Sequence, residues 1–377
     1  MPISREEAIA LFSRIADAVN RHDKLTLMSF YADAATVISP AFREMHGKEA
    51  IAASWETMFS TFPDWTVSEV DVMVDGDRLL GIAFNSFTDT KGWFGLPPTG
   101  ERVTYRNLLL LTLVDGKVAR EERMYDISAV LGTLEKLRLE QELRTAAAVQ
   151  AALLSRTLHT VSFCEAVGDS IPCRTIGGDF FELMELPSGD LAIALGDVSG
   201  KGPPAALLAA MLQGMLTVEA QAQTSPSLVM SRLNRALLAR GLGSQFATLV
   251  YGVLSPDGRF TYCNAGHNPP LAMHDGQIRR LTTGGLVVGA FPEATFEQEV
   301  LQLQDQEIVC FFSDGVTEAR NHADEDFGDD RLVSCLLQQQ ANPVPALVKA
   351  VLSAVHNFSG EVHQGDDTTL VVMRFRS

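Results

Sequence analysis

Residues 191–210 read LAIALGDVSGKGPPAALLAA, and this stretch decides the fold of the C-terminal half. It opens with an apolar run of strand length, passes through a glycine-rich turn and continues after two prolines into a helix-forming run. Asp197 stands where the apolar strand ends. A carboxylate at the end of a buried strand is costly unless it is paired or bound to a cation. The stretch therefore predicts a strand, a loop and a helix arranged around an acidic site.

Other acidic positions of this half share the same setting. Asp179 follows a glycine pair and precedes an apolar strand, Asp314 ends the apolar run EIVCFFSDGV, and Asp366 with Asp367 directly precedes TTLVVMRF. The adjacent glycines let a carbonyl or a water approach closely. Several carboxylates that converge without histidine or thiolate form an oxygen-only site, which suits Mg²⁺ or Mn²⁺.

The composition narrows the class of protein. The chain has 377 residues, of which 46% are hydrophobic and 20% charged, and this predicts a globular protein of two or three domains. A formal net charge of −17 disfavours binding to nucleic acid or to an anionic membrane surface. Five scattered cysteines without a CxxC pair indicate reduced thiols. No long apolar run is present, so we expect a cytoplasmic protein without a membrane span.

Residues 1–130 have the pattern of an α+β domain. Ser4 and Glu7 form a capping box ahead of an apolar helical stripe, and a second helix is expected at residues 47–59. From Trp65 the period becomes strand-like, with runs at residues 67–74, 78–87, 102–114 and 117–126. Two helices followed by a strand meander predict a curved sheet that closes over the helices.

Residues 131–157 are predicted to form a helical linker, because they contain no proline and are rich in Leu, Ala, Glu, Arg and Gln. Five positions are spaced at the alternating four- and three-residue steps of a heptad seam, namely Leu139, Leu143, Ala146, Gln150 and Leu153. Two interpretations stay open at this point. The linker is either a single helix packed on a neighbour or a short parallel coiled coil that joins two protomers into a homodimer.

The remainder, residues 158–377, predicts a second domain of layered sheets and helices. The predicted strands are residues 190–198, 247–254, 259–266, 307–316 and 368–375. The predicted helices lie near residues 205–221, 226–239, 329–340 and 343–358.

In their order, the motifs of this half closely resemble the metal-dependent protein phosphatase 2C-like superfamily, and within it the bacterial SpoIIE-like branch of sporulation and general-stress-response phosphatases. The matching strings are VQAALL, IGGDFFE, GDVSGKGPPAALLAA, SRLNRALL, FATLVYGVL, CNAGHNPPL, GGLVVGAF, CFFSDGVTEARN, FGDDRL and GDDTTLVV. The resemblance implies a central β-sandwich flanked by helices (an α-β-β-α order), with two metal ions at one end.

The resemblance also implies which residues are catalytic and bind these two Mn²⁺ or Mg²⁺ ions. Asp197 matches the metal-bridging aspartate, and the carbonyl of Val198 matches the backbone ligand beside it. Asp314 and Asp366 match ligands of the other metal. Asp179 matches an aspartate that reaches the pair directly or through water. Two such ions would lower the pKa of a bridging water, so that hydroxide is available near neutral pH.

Several neighbouring positions have alternative interpretations. Asp367 is either the direct ligand in place of Asp366 or hydrogen-bonded support. Asn264 and His267 are expected to shape their loop rather than to bind metal. Arg174 either holds the substrate phosphate, to which a guanidinium is matched in geometry, or is an ordinary surface arginine.

Residues 1–130 resemble the nuclear transport factor 2-like fold, the cone-shaped α+β barrel of SnoaL-like cyclases and of many ligand-binding modules. The resembling strings are HGKEAI, GLPPTGERVTY and DGKVAREERMYDISAVLGTL. The resemblance implies a pocket for a small molecule and an acidic base near Asp126. Aromatic residues that belong either to the pocket wall or to the core are Trp55, Trp65, Trp93, Phe59, Phe87 and Tyr125.

Together these observations predict a Mg²⁺- or Mn²⁺-dependent phosphatase that acts on phosphoserine or phosphothreonine of a regulatory protein. The resemblance implies a phosphorylated anti-sigma-factor antagonist of the STAS type as the substrate. The N-terminal domain would sense a small-molecule ligand and act through the helical linker. Two alternatives remain, namely a catalytically silent signalling scaffold and an N-terminal domain with its own small-molecule enzyme activity.

Overall fold

A computed structural model describes residues 3–153, 158–222, 225–241 and 245–377 of the chain. The chain forms two compact units, Met1–Glu142 and Leu143–Ser377. The end of the predicted linker, residues 154–157, lies outside the described residues, and so does the boundary predicted between residues 157 and 158.

The N-terminal unit consists of a mixed β-sheet and the helices that pack against it. Its elements in chain order are α1 (Arg5–Asn20), α2 (Lys24–Ser29), β1 (Tyr31–Ser39), β2 (Arg43–His46), α3 (Gly47–Thr61), β3 (Thr66–Asp75), β4 (Arg78–Thr88), β5 (Arg102–Val114), β6 (Lys117–Met124) and α4 (Ile127–Leu153). Helix α4 continues into the second unit. The strand order is β2-β1-β6-β5-β4-β3, in which β1 and β6 are parallel and the other neighbours antiparallel.

The local sequence accounts for most of these elements. The capping box is confirmed, because the Ser4 hydroxyl accepts from the Glu7 N–H and the Glu7 carboxylate accepts from the Ser4 N–H. The predicted strand runs correspond to β3–β6, and the predicted second helix to α3. The pattern missed α2, β1 and β2. Residues 32–35 of β1 read ADAA, and alanine and aspartate are poor strand formers.

The C-terminal unit is an α-β-β-α sandwich. Its elements are β7 (Leu158–Val161), β8 (Cys164–Ile171), β9 (Phe180–Glu185), β10 (Leu191–Val198), α5 (Pro203–Ala222), α6 (Pro226–Leu238), β11 (Ala247–Leu254), β12 (Arg259–Ala265), β13 (Leu271–His274), β14 (Gln277–Arg280), β15 (Gly284–Gly285), β16 (Glu299–Gln302), β17 (Ile308–Phe312), α7 (Asp314–Thr317), α8 (Gly328–Gln339), α9 (Val344–Ser359) and β18 (Thr368–Phe375). One sheet has the order β15-β12-β11-β10-β9 with β16 beside β12, and the other has the order β14-β13-β17-β18-β8-β7.

Apolar layers on both sides of each sheet hold the sandwich together. In β10, Ala192 and Ala194 pack in the layer with α5 and α6, whereas Ile193 and Leu195 pack in the layer between the sheets. Because both faces of the strand are covered, its sequence is continuously apolar rather than alternating. Helices α8 and α9 cover the second sheet. The α+β class and the sandwich are therefore confirmed.

Helix α5 is long and apolar enough to span a membrane by length and composition, and it is the one such helix among the described residues. Within the protein, 44% of that stretch is buried. Its apolar side chains pack in the same layer as those of β10 and α6. Helix α5 is therefore a core helix of the sandwich.

Candidate active site

The ends of β9 and β10 bring Asp179 and Asp197 together. The strands pair antiparallel with Phe180 opposite Gly196, which puts the two aspartates beside each other at the end of the sheet. Asp179 is 5% exposed, and its Oδ2 has no hydrogen-bond partner among the described residues. Buried polar atoms nearly always have a partner, so this orphaned oxygen fits a cation ligand.

The second sheet contributes Asp314 and Asp366 from the neighbouring ends of β17 and β18, which pair antiparallel. Asp314 is the first residue of α7 and not the end of a strand. The predicted strand 307–316 was too long, because β17 stops at Phe312 and the next residues turn into the short helix.

The connection between β17 and β18 is tight. The Ser313 hydroxyl donates to the Asp367 carbonyl at 3.1 Å and accepts from the Thr369 N–H at 2.9 Å. A Cβ on Gly315 would lie 2.1 Å from the Asp367 carbonyl oxygen, so only glycine allows this approach.

Asp367 supports the loop that carries Asp179. Its carboxylate accepts from the N–H groups of Cys173 at 2.8 Å, Gly178 at 2.6 Å and Asp179 at 3.3 Å. These three hydrogen bonds occupy both oxygens of Asp367. Of the two interpretations for Asp367, the geometry favours hydrogen-bonded support, which leaves Asp366 as the candidate ligand.

Lys201 is a residue of the site that sequence reasoning missed. Its ammonium lies 2.8 Å from Asp366 Oδ2 and also donates to the carbonyl of Gly365. The available signal was the Gly-Lys-Gly sequence that follows Asp197. Arg174 is exposed and lies beside the loop that carries Lys201. Its Nη1 is 3.8 Å from the position that a Cβ on Gly202 would occupy.

The acidic groups of the site disfavour one another's ionisation. Burial, followed by the charges of Asp314 and Asp366, raises the pKa of Asp197 to about 7. Burial and then the charge of Asp197 raise the pKa of Asp179 well above its usual value. Burial and Asp366 also raise the pKa of Asp314. Negative charge is thus concentrated where positive charge would relieve it.

The donor set fits hard divalent cations. It offers carboxylate oxygens and the carbonyl of Val198, and a Cβ on Gly178 would crowd that carbonyl oxygen at 3.0 Å. Within the described ranges, one group of three ligand atoms lies within 4.8 Å of one another, and its members are Cys173, Asp366 and Asp367. The aspartates predicted from sequence therefore border a common site, but their ligand atoms are farther apart than those of Cys173, Asp366 and Asp367.

The comparison with known proteins agrees with this geometry. Residues 187–376 match the family of Stage II sporulation protein E (SpoIIE), and residues 12–121 match the SnoaL-like domain. The chain belongs to the SpoIIE family. Its C-terminal unit is a metal-dependent serine/threonine phosphatase domain of the protein phosphatase 2C type, and both resemblances predicted from sequence are confirmed.

Relatives of this SpoIIE-family chain differ in how much of their length it spans. Phosphoserine phosphatase RsbU of Bacillus subtilis is 28% identical over 241 residues, which are 63% of this chain and 70% of RsbU. Protein IcfG of Synechocystis sp. is 28% identical over 233 residues, which are 54% of this chain and 37% of IcfG. The SiaA-PP2C domain of Pseudomonas aeruginosa has a TM-score of 0.54 at 20% identity, over 64% of this chain and 98% of that domain, and supports the fold.

Asn264 and His267 bind each other within their loop, which confirms the expected structural role. The Asn264 amide donates to the His267 carbonyl at 3.0 Å and accepts from the His267 N–H at 2.8 Å. The His267 ring is buried with Nδ1 2.7 Å from Thr248 Oγ1, and burial lowers its pKa to about 4.

The SnoaL-like unit contains a cavity, but not all predicted residues line it. Trp55, Trp65 and Tyr125 do, whereas the residues that lie outside its wall are Trp93, Phe59 and Phe87. Phe87 is fully buried and stacks on Trp65 at 5.2 Å, so it is a core residue. Asp126 is exposed, and its Oδ1 accepts from the Ala129 N–H at 3.0 Å. The expectation that Asp126 acts as a base in the pocket is therefore wrong, because its carboxylate caps α4.

We expect Asp197→Asn to stabilise the metal-free SpoIIE-family chain. The folded state binds the Asp197 proton more tightly than the unfolded chain does, so the wild-type carboxylate costs stability as the pH rises from about 4 toward about 7. Thermal unfolding with EDTA at pH 8 should show a gain of about 1–3 kcal/mol, and a smaller gain at pH 5. The exposed Asp169→Asn is the matched control, and equal unfolding of Asp197→Asn and wild type at pH 8 would contradict the electrostatic account.

Gly315→Ala tests the tight connection beside Asp314. The new Cβ would meet the Asp367 carbonyl oxygen at 2.1 Å, and backbone must move to make room. We expect a loss of about 2–4 kcal/mol in the free energy of unfolding, measured by circular dichroism. Gly214→Ala in α5 is the control, since a Cβ there meets nothing within 4 Å. Wild-type stability of Gly315→Ala would show that the connection is looser than described.

Proposed function

We propose that this chain is a Mg²⁺- or Mn²⁺-dependent protein phosphatase that hydrolyses phosphoserine or phosphothreonine on a regulatory protein. The observation that carries the proposal is the convergence of acidic residues from both sheets on one end of the sandwich, around a buried carboxylate oxygen without a partner. The relative RsbU, a phosphoserine phosphatase by name, supports the same activity.

The residues proposed to hold two divalent ions are Asp179, Asp197, the carbonyl of Val198, Asp314 and Asp366. When bound, such ions supply a water of lowered pKa and positive charge opposite the phosphoryl oxygens. With those ions bound, a water would attack phosphorus in line with the departing serine or threonine oxygen, and no covalent intermediate with the protein would be required.

The chain's other residues orient these groups. Asp367 holds the backbone from Gly178 to Asp179 and so directs the Asp179 carboxylate. Lys201 holds Asp366 and the preceding carbonyl. Arg174 lies exposed beside the same glycine-rich loop, where its guanidinium is placed to bind a substrate phosphate.

The proposed substrate is a phosphorylated anti-sigma-factor antagonist of the STAS type, in the cytoplasm. Two relatives named phosphoserine phosphatases, RsbU and RsbP of Bacillus subtilis, support phosphoserine as the group that is hydrolysed. A groove of about 550 Å³ adjoins the site and is lined by Asp366, Lys201 and Glu318 among others.

Regulation is proposed to act through α4. The Gln150 amide donates to the Gly177 carbonyl at 2.8 Å and accepts from the Gly177 N–H at 3.2 Å, two residues before Asp179. The Gln213 amide donates to the Leu153 carbonyl at 2.8 Å. The C-terminal turns of α4 are thus tied to the loop that carries Asp179. A ligand sensed by the N-terminal domain would alter activity through this helix.

The homodimer remains part of the proposal. Leu139 and Leu153 of the predicted seam are 55% and 52% exposed, and a second protomer would cover them. The heptad pattern also places Gln150 on the seam. Its amide is hydrogen-bonded to Gly177 instead, so Gln150 would not contact a second protomer.

Asp314→Asn tests the activity. With Mn²⁺ added, the full-length protein should release phosphate from a phosphoserine peptide, and the variant should be at least about 100-fold slower because a metal ligand is lost. Phosphate release is followed colorimetrically, and EDTA should abolish it. Full activity in metal-free protein would contradict the mechanism. A folded wild type that binds Mn²⁺ without turnover would favour the silent scaffold.

Gln150→Ala tests the link from α4 to the site. Loss of the reciprocal hydrogen bonds to Gly177 should lower kcat about tenfold, while thermal unfolding changes by no more than a few degrees. Val149→Ala on the same turn is the control, since Val149 is 58% exposed. Equal kcat for Gln150→Ala and Val149→Ala would remove α4 from the account of regulation.

A further inference from the structure

The cavity of the N-terminal unit encloses a buried ion pair. Glu121 is 2% exposed, accepts from Arg123 Nε at 2.5 Å and also accepts from the Tyr31 hydroxyl. Burial raises the pKa of Tyr31, so its hydroxyl remains a donor. An ion pair taken out of water seldom stabilises a fold relative to apolar side chains of the same volume. Its presence in an apolar barrel therefore indicates a role in binding.

Polar atoms of the cavity wall lack partners within the described part of the chain. They are Arg123 Nη2, Asn107 Oδ1, Trp55 Nε1 and Trp65 Nε1. Each side chain is more than nine-tenths buried, with exposed fractions of 8% for Arg123, 5% for Asn107, 8% for Trp55 and 4% for Trp65. Unpartnered buried donors and acceptors cost free energy unless a ligand or water satisfies them.

The balance of these atoms indicates the chemistry of a ligand. Donors outnumber acceptors, since Arg123 and the two indoles offer N–H groups and Asn107 offers one oxygen. The charges of Arg123 and Glu121 cancel, so the cavity carries no net charge to attract an ion. The cavity offers about 60 Å³ to the centres of water molecules, which suits one ring rather than several.

We propose that this cavity binds a small, neutral, single-ring aromatic molecule that carries a carbonyl oxygen and a hydroxyl group. The carbonyl oxygen accepts from Arg123 Nη2 and from Trp55 Nε1, whose ring lies beside the guanidinium. The hydroxyl donates to Asn107 Oδ1, and the ring packs among the aromatic side chains of the wall. This deepens the ligand-sensing role proposed above by naming the class of ligand.

Phe42 and Met58 separate the cavity from a neighbouring one, and we infer that a ligand enters between them. Both side chains line this cavity and also a more open outer cavity of about 420 Å³. The guanidinium of Arg123 lies 4.7 Å from the centre of the Trp55 ring, so the polar end of the site is already ordered. A ligand would enter with its carbonyl toward this end.

The tryptophans make a selective probe, because the chain has three, Trp55, Trp65 and Trp93, all in the N-terminal unit. Full-length protein is titrated at pH 6.5 with 4-hydroxyacetophenone, 4-hydroxybenzoate (anionic) and 4-ethylphenol (no carbonyl). Calorimetry should show the first binding at least about tenfold more tightly than the others. The indole N–H resonance of Trp55 should shift downfield as it donates to the carbonyl.

Two variants locate the ligand. Asn107→Leu and Trp55→Phe should each weaken binding of 4-hydroxyacetophenone about five- to tenfold, the effect of one lost hydrogen bond. Trp93→Phe, outside the wall of this cavity, should bind as the wild type does. If Asn107→Leu does not fold, Trp55→Phe against Trp93→Phe gives the same comparison.

Specific outcomes would overturn the proposal. Equal or tighter binding of 4-hydroxybenzoate would show that the site takes anions, and equal binding of 4-ethylphenol would show that no carbonyl is recognised. Unshifted indole resonances with all three probes at millimolar concentration would show a closed core. These binding measurements do not depend on turnover, so they remain valid if the protein shows no phosphatase activity. Absence of ligand binding would likewise leave the phosphatase proposal unaffected.

Discussion

The repulsion among carboxylates gathered at one end of the sandwich is the main physical constraint on the C-terminal unit. Asp179 and Asp197 come from one sheet, and Asp314 and Asp366 from the other. The raised pKa values of Asp179, Asp197 and Asp314 record that neither burial nor proximity favours their charge. The fold holds them there by other means. Asp367 uses its carboxylate on backbone N–H groups, and tight glycine turns bring the loops together.

The parts of this arrangement that sequence predicts are those with a local cause. Strands β11 and β18 were predicted with their observed bounds, because a strand buried on both faces reads as an unbroken apolar run. The aspartates at the strand ends were visible for the same reason. Lys201 was not visible, and the sequence left the two roles of Asp367 open, since both depend on partners more than 150 residues away in the chain. Strand β1 was not predicted, because its ADAA segment lacks the regular alternation of apolar and polar residues that marks a strand.

The two units treat buried charge in opposite ways, and this difference separates their ligands. In the N-terminal cavity Glu121 and Arg123 neutralise each other, while three donors and one acceptor of the wall have no partner among the residues that the structure describes. At the end of the sandwich the carboxylates greatly outweigh the ammonium of Lys201. A site with balanced charge selects a ligand by hydrogen bonding and shape, whereas a site with excess negative charge selects cations. With the proposed ligands, one chain would thus carry an organic cavity and a metal site that do not compete for the same ligand.

Helix α4 is the element through which the two sites would influence each other. Val130 and Leu134 are buried in the core of the N-terminal unit, and Gln150 binds the loop before Asp179. Each of the two hydrogen bonds to Gly177 contributes on the order of 1 kcal/mol. A ligand that strains or relieves α4 by that amount changes the population of the intact loop several-fold. Repulsion among the carboxylates would favour displacement of the loop, and the Gln150 contact would oppose it. A weak contact is therefore sufficient to act as a switch here, and a strong one would hold the loop in place whatever the cavity contained.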